Sequence, residues 1–520
     1  MTGVVQGVLW LLGGVVLFVL ASALAFKSWR RYAKAARGKP GHALPRTGPK
    51  TPLDQMFDTC EAEHPNETGL AGLFAHSDAF AARALSAQMA GRSLDLMYFI
   101  WSSDLTGRLL LRDVTAAADR GVRVRLLLDD ANVQGFDLDF LSLNQHPNVE
   151  VRLFNPIRNR GHIVRRVVEM LLGMSRYNRR LHCKAWIADG RMAIIGGRNI
   201  GDSYFGAPQG DKRFAQERAR RDADMLVAGP LVAEVEALFD TYWNLGIVLP
   251  ILALWPKIKI RQRRFRSQLA KVGQNPAAKA FLAHATLGKT GRAVLADGLY
   301  WTTSARVLAD PPDKAYGRRT SPWMAEQVNT VLTSARHDIK LITPYFVPGF
   351  AGLAALTALL QRGIRISVLT NALATSDNVL VHGAYRWYRK PLLAAGARLF
   401  EFAPPGHKRR QRDVLHAKVF LIDGTQAIVG SLNFDLRSAY TNSEMGILFS
   451  QPDLVKELTD IFDQESGPDQ AYALSLDHGA VRWSVARPGV PAVMRVEPEA
   501  NVLWRAVSFL VGLLPIHGWL

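Results

Sequence analysis

The chain has 520 residues, enough for two domain-sized cores, and 48% of them are hydrophobic, which excludes a disordered or low-complexity polypeptide. Its 64 Lys and Arg outnumber 45 Asp and Glu, and the net charge of +19 predicts anionic partners without choosing among them. Two cysteines, Cys60 and Cys183, stand far apart with no second ligand pair, which excludes a disulfide framework and zinc spacing.

The first predicted element is an uncharged run over residues 4–26. As a helix it would rise about 34 Å, enough to cross a hydrocarbon core. No charge precedes it, while Lys27, Arg30, Arg31, Lys34, Arg37 and Lys39 follow, so the positive-inside rule places everything downstream in the cytoplasm. Ala21-Ser22-Ala23 would suit a cleaved signal peptide. Such a peptide carries Lys or Arg ahead of a shorter apolar core, so an uncleaved anchor fits better. Pro and Gly over 40–52 read as a linker to the first lobe.

Downstream, segments recur. Met97-Tyr98-Phe99-Ile100 returns as Pro344-Tyr345-Phe346-Val347, Arg120-Gly121-Val122-Arg123-Val124 as Arg362-Gly363-Ile364-Arg365-Ile366, and Arg152-Leu153-Phe154 as Arg398-Leu399-Phe400. Strand, helix and continuous apolar strand in this order predict βαβ units, hence an α/β fold of two similar lobes whose sheets are mixed, largely parallel and flanked by helices. The expected divisions are an anchor with a basic juxtamembrane segment over 1–39, a first lobe over 40–245, a basic and apolar interfacial linker over 246–289, a second lobe over 290–485 and an apolar tail over 486–520.

The most informative repeat is His-x-Lys-x4-Asp-x6-Gly-x-x-Asn, present as His182, Lys184, Asp189, Gly196 and Asn199 and again as His416, Lys418, Asp423, Gly430 and Asn433. Five positions at one constant offset, twice, point to an internal duplication that kept one constellation. Residues 183–188 and 417–422 read as buried strands, and period 2 puts His182 with Lys184, and His416 with Lys418, on one face. Asp189-Gly190 and Asp423-Gly424 then turn each strand into a hairpin. Gly196, Gly197 and Gly430 are expected to let the backbone approach an anion. Imidazole is a nucleophile near neutral pH and a general acid when protonated, so a pair can divide an in-line displacement at a phosphodiester. Cys183, between His182 and Lys184, should face away and pack as a small apolar residue.

Three further stretches mix apolar runs with basic clusters. Arg158, Arg160, Arg165, Arg166, Arg176, Arg179 and Arg180 surround an apolar series over 163–172. Residues 246–255, too short to span, lead into Lys257, Lys259, Arg261, Arg263, Arg264 and Arg266. The tail over 502–520 carries Trp504, Phe509 and Trp519 with a single charge, Arg505. Each suits docking on anionic lipid, and each equally suits a core helix with a solvated charged flank.

Both motifs resemble the HKD motifs of the phospholipase D superfamily, whose members join two similar lobes around one site. Within it, Tyr98-Phe99-Ile100-Trp101, Asn178-Arg179-Arg180-Leu181-His182, Gly196 to Phe205, and Asn442-Ser443-Glu444-Met445-Gly446 look most like bacterial cardiolipin synthases, over roughly 44–485. The single N-terminal span is most similar to class C members. The resemblance implies that one His, taken as His182, forms a phosphohistidine while His416 protonates the leaving alcohol. It also implies that Lys184, Lys418, Asn199 and Asn433 hold the phosphate oxygens, with Asp189 and Asp423 in the catalytic set. The two aspartates suit turn formation and structural pairing at least as well. Downstream carboxylates orient the histidines in the family. Glu444 stands in that place for His416, and Asp224, which a Met also follows, is the choice for His182.

A metal-independent, cofactor-free phosphatidyltransferase of phospholipid biosynthesis is therefore expected, acting on phosphatidylglycerol, with phosphatidylethanolamine an alternative donor. Its site would face an anionic phospholipid membrane, the bacterial inner membrane, and no nucleic-acid partner is expected, because a nuclease gains nothing from a span. Phospholipase D hydrolysis to phosphatidic acid is the runner-up and a nuclease the third reading.

Overall fold

The computed structural model describes residues 2–133, 137–207, 218–255, 258, 260, 262–287, 295, 298–405 and 412–513. Thr2–Ala36 is one helix, within which Val5–Ala36 is long and apolar enough to cross a membrane. Val5, Trp10, Leu17 and Leu24 stand exposed on it, whereas Trp29 and Ala33, one turn apart, are buried against the rest of the molecule.

Two mixed sheets carry the duplication. One contains, in spatial order, Asp224–Ala228, Met192–Gly196, Ala185–Ala188, Ser93–Tyr98, Arg123–Asp129 and Val149–Phe154. The other repeats this with Met445–Phe449, Gln426–Gly430, Val419–Ile422, Asp338–Ile342, Arg365–Asn371 and Arg398–Phe402. Parallel pairing within each sheet is confined to the last three of these strands, which are linked through helices. The motif hairpins and their neighbours are antiparallel, as a two-residue Asp-Gly turn requires, so the sheets are mixed with less parallel pairing than expected. The connecting helix Leu105–Asp119 is started by Asp104, whose carboxylate accepts from Gly107 N, and it closes at Gly121 with φ +99°. Its counterpart Gly349–Gln361 closes in the same way at Gly363, with φ +85°.

The sheets face one another across a shared apolar interior. Met97, Leu127, Ile187 and Ile195 of one join Ile342, Leu369, Val419 and Ile447 of the other in one buried cluster, which also takes in Cys183.

Several expected divisions move. Val248–Pro250 is an edge strand of the first sheet, paired with Val149–Phe154, and Ile251 and Leu254 are buried, so this apolar stretch is core rather than interfacial. Helices Gln262–Val272 and Pro276–Leu287 pack on the first lobe through Phe265, Leu269, Ala278 and Phe281. Tyr300–Thr302 joins the far edge of that sheet, and the second sheet begins only at Ala305–Ala309. The apolar residues find a dry partner in their own lobe, which removes the need for lipid. Of the basic cluster there, Lys257, Lys259 and Arg261 lie outside the described residues, as does Trp519.

The tail continues the second lobe. Helix Val502–Leu513 lies on Val379–Ala394, buries Ser508 and Val511, and exposes Leu503, Phe509, Leu510 and Leu513. Helix Ile163–Leu172 buries no side chain: Ile163, Val164, Val167, Val168 and Leu171 are all exposed, as membrane docking requires.

Candidate active site

The chain approaches each motif histidine along a short strand that pairs across the lobes. Leu181 bridges Ser443 in parallel, and His182 N donates to Ser443 O at 2.9 Å. In the other half Val414–Leu415 pairs in parallel with Arg220–Arg221, and His416 N donates to Arg221 O at 2.7 Å. The next residue on each partner segment is a carboxylate. Glu444 Oε2 lies 2.8 Å from His182 Nδ1, and Asp222 Oδ2 lies 2.5 Å from His416 Nδ1. Both pairs therefore bridge the lobes.

This changes two assignments. Glu444 serves His182 and not His416, because the bridging register carries it across the lobe boundary. Asp224 serves neither histidine. It is buried against Arg83 at 2.8 Å and Arg198 at 3.5 Å inside the first lobe. The sheet register explains why the Met signal misleads: Gly196 pairs with Asp224 where Gly430 pairs with Gly446, so Asp224 is equivalent to Gly446 and Asp222 to Glu444.

Asp189 and Asp423 also leave the site. Beyond the far end of each motif strand, Asp189 accepts from the backbone N–H groups of Gly91, Arg92 and Ser93 at 2.7–2.9 Å. Asp423 does the same for Arg336, His337 and Asp338 at 2.7–2.9 Å. Both sit at positive φ, 54° and 53°, at the first corner of the Asp-Gly turn. Their work is to cap three amides and shape a turn.

The lysines stay with their histidines. Lys184 Nζ donates to His182 O at 2.5 Å, and Lys418 Nζ lies 2.8 Å from His416 Nδ1. Asn199 is occupied locally, accepting from Ile100 N and donating to the hydroxyl of Tyr204. Asn433 Oδ1 is buried with no hydrogen-bond partner among the described residues. The glycines serve packing rather than a ligand. A Cβ on Gly430 would lie 2.5 Å from Met445 O and one on Gly196 2.5 Å from Ala223 O, while on Gly197 it would collide with the Asp222 carboxylate. At the position equivalent to Gly197, Ser431 donates to Glu444 Oε2 at 2.5 Å.

Several residues with no motif signal complete the walls. Phe99 meets the His182 ring edge-on at 4.9 Å and Tyr204 meets His416 at 5.3 Å. Arg220 pairs with Asp377 across the lobes at 2.7 Å, and Tyr345 donates to the same carboxylate at 2.7 Å. Phe99 and Tyr345 lie in the recurring Tyr-Phe segments, which was a usable signal. The Arg220–Asp377 pair left none, since it exists only after the lobes dock.

Burial governs the electrostatics. It lowers the His182 imidazole to about 4, against the pull of Glu444 and with the push of Lys184. It lowers His416 well below its ordinary value, reinforced by Lys418 and Arg220. It lowers Lys184 to about 7 and Lys418 to about 8, partly offset by Glu444 and Asp222 respectively. Burial alone would raise the Glu444 carboxyl, but His182, Lys184 and Ser431 outweigh it and hold it at about 2. Each imidazole feels the lysine of the other lobe, so the four groups form one site. Among the described residues no group of three or more His, Cys, Asp or Glu converges as a metal ligand set. Two neutral imidazoles, one with Nδ1 held by an ionised carboxylate, beside two lysines, are poised for an anionic phosphodiester.

Comparison with known proteins agrees with this geometry. The family described as "Cardiolipin synthase, PLD-like domain" matches residues 86–243 and 328–465, which hold both motifs. Cardiolipin synthase C of Escherichia coli is 36% identical over 478 residues, covering 88% of this chain and 97% of that protein. An uncharacterized protein of Helicobacter pylori is 28% identical, covering 89% and 92%. A phosphatidylserine synthase from Haemophilus influenzae shares the fold with a TM-score of 0.55 at 13% identity, over 80% of this chain and 91% of that one. The chain belongs to the cardiolipin synthase family built on phospholipase D-like domains.

Proposed function

We propose that the protein transfers a phosphatidyl group from one phospholipid to the hydroxyl of phosphatidylglycerol, forming cardiolipin through a phosphohistidine. One observation carries this reading: each histidine of one lobe is held by a carboxylate of the other, which makes a single site with two imidazoles and two lysines. Glu444 accepts a hydrogen bond from Nδ1–H of His182, which leaves the Nε2 lone pair free for attack and supports His182 as the nucleophile.

In the first half-reaction Nε2 of His182 bonds to phosphorus and the P–O bond to the departing alcohol breaks. His416, made more basic once the bound phosphodiester offsets the lysine charge, takes up a proton from water as the substrate binds and gives it to that oxygen. In the second, the acceptor hydroxyl gives its proton back to His416 and attacks phosphorus, and the N–P bond breaks. Lys184 and Lys418 neutralise the non-bridging oxygens as their charge grows.

The substrates reach this site from a membrane. The spanning helix and the exposed apolar helix Ile163–Leu172 support a location at the bacterial inner membrane, with the lobes on the cytoplasmic side that the basic flank of the span favours. Purified protein in vesicles of phosphatidylglycerol and phosphatidylethanolamine, assayed by lipid mass spectrometry without divalent metal, tests the reading. Cardiolipin is the expected product. Phosphatidic acid alone would make the enzyme a hydrolase, and cleavage of added DNA a nuclease. His182→Ala and His416→Ala should each lower turnover by about 10³-fold or more. Full activity in either would end the two-histidine scheme.

A further inference from the structure

The apolar stretch of the N-terminal helix ends at Phe26, and from there the helix runs beside the lobes with Trp29 and Ala33 buried. Lys27, Arg30, Lys34 and Arg37 follow at spacings of three and four, so they share one flank. That flank walls a cavity of about 1210 Å³ whose other wall includes Arg179 of the first lobe and Arg318 of the second. Eight basic side chains line the cavity, no acidic one does, and neither motif histidine nor motif lysine reaches it. Among the described residues only one of the eight has an ion pair: Arg176, 3.7 Å from Glu169, with its guanidinium also stacked 3.9 Å from the Trp29 ring centre. Cations this crowded repel one another within a Debye length of about 8 Å. A lining of one sign, left without carboxylates, is the complement of an anion.

The height of the cavity says which anion. The apolar stretch from Val5 to Phe26 rises about 33 Å, the thickness of a hydrocarbon core. Phe26 therefore stands at the boundary between acyl chains and headgroups, and the cavity opens just beyond it. Helix Ile163–Leu172 packs on the same helix and presents its exposed apolar face nearby. We infer that this cavity is a non-catalytic site for an anionic phospholipid, its headgroup phosphate held among Arg30, Lys34, Arg179 and Arg318 and its acyl chains lying along the apolar flank above Phe26. The lipid would cross-link the anchor to both lobes. The inference does not depend on the reaction proposed above.

The test uses the full chain carrying His182→Ala, so that bound lipid is not consumed, in nanodiscs of phosphatidylcholine containing phosphatidylglycerol. Native mass spectrometry after detergent extraction reads the retained lipid. The parent should retain phosphatidylglycerol over phosphatidylcholine, and adding Arg30→Gln with Lys34→Gln should lower that preference about tenfold. Arg318→Gln, exposed on the opposite wall, should lower it too, and Arg30→Lys should keep it. Arg263→Gln with Arg264→Gln removes equal charge away from the cavity and should leave it unchanged. Equal retention in the cavity variants would place the lipid elsewhere and overturn the inference. An equal loss in the control pair would reduce it to general charge, and displacement by millimolar sodium phosphate would mean a plain anion site.

Discussion

At the scale of single residues, Asp222 and Asp224 separate cleanly although they are two positions apart. Asp222→Asn keeps the size of the group that faces His416 but loses its charge, and turnover should fall about 10²–10⁴-fold with little change in melting temperature. Asp224→Asn leaves Arg83 and Arg198 buried without their carboxylate, and should cost about 3–5 kcal/mol of stability, read as a lower Tm. If Asp224→Asn were stable and inactive while Asp222→Asn stayed active, the assignment would be reversed. The lysines set a pH dependence. Both have folded values depressed chiefly by burial, so they carry charge at low pH and lose it as pH rises through about 7 for Lys184 and about 8 for Lys418. The profile of kcat/KM on vesicles should thus carry a lysine-dependent fall from near those values, on top of an earlier decline as His416, lowered by burial in the free enzyme, loses the proton it needs as general acid. On the acid side it should fall only toward about 4, where the His182 nucleophile becomes protonated. Lys184→Arg keeps its charge above neutrality and should move the alkaline limb upward even if the rate drops.

At the scale of elements, the contrast lies between two helices with apolar residues, Ile163–Leu172 carrying three charges in ten residues and Val502–Leu513 one in twelve. The first lies beside the N-terminal helix with no side chain fully buried, whereas the second docks on Val379–Ala394. The docking is close at Gly383, where a Cβ would sit 2.8 Å from Val511 Cγ1 and 2.9 Å from Ser508 O. The missing side chain lets two helix backbones close up. Gly383→Val should overpack this seam, cost about 1–3 kcal/mol and lower the melting temperature measured by scanning fluorimetry. An unchanged Tm would mean that the tail helix contributes nothing to the second lobe.

At the scale of the whole molecule, the site belongs to neither lobe. His182 with Glu444 and His416 with Asp222 are each completed across the boundary, and the parallel bridges at Leu181 and at Val414–Leu415 set both alignments. Because one chain supplies all four groups, mixing His182→Ala protein with His416→Ala protein should restore no cardiolipin formation. Recovered activity in the vesicle assay would show that sites form between chains. Much of this organisation was legible beforehand: the repeated motif announced the duplication, and the alternation of strands and helices announced two α/β lobes. The partners of the histidines were not legible, because a carboxylate two residues from the right one carries the same local spelling. The apolar run at 246–255 misled for a related reason, since burial by an edge strand and burial by lipid ask for the same residues.

The sequence by itself determined what is local or periodic. An uncharged run long enough to span, hairpins turned by Asp-Gly, and a His and a Lys on one strand face all follow from side-chain chemistry at fixed spacing. Only the tertiary structure decided which carboxylate meets which imidazole and which glycine yields to a neighbouring strand. It also decided where unpaired cations gather beside the anchor. The carboxylate pairings depend on the register between segments more than a hundred residues apart, where a slip of one residue turns each side chain to the other face.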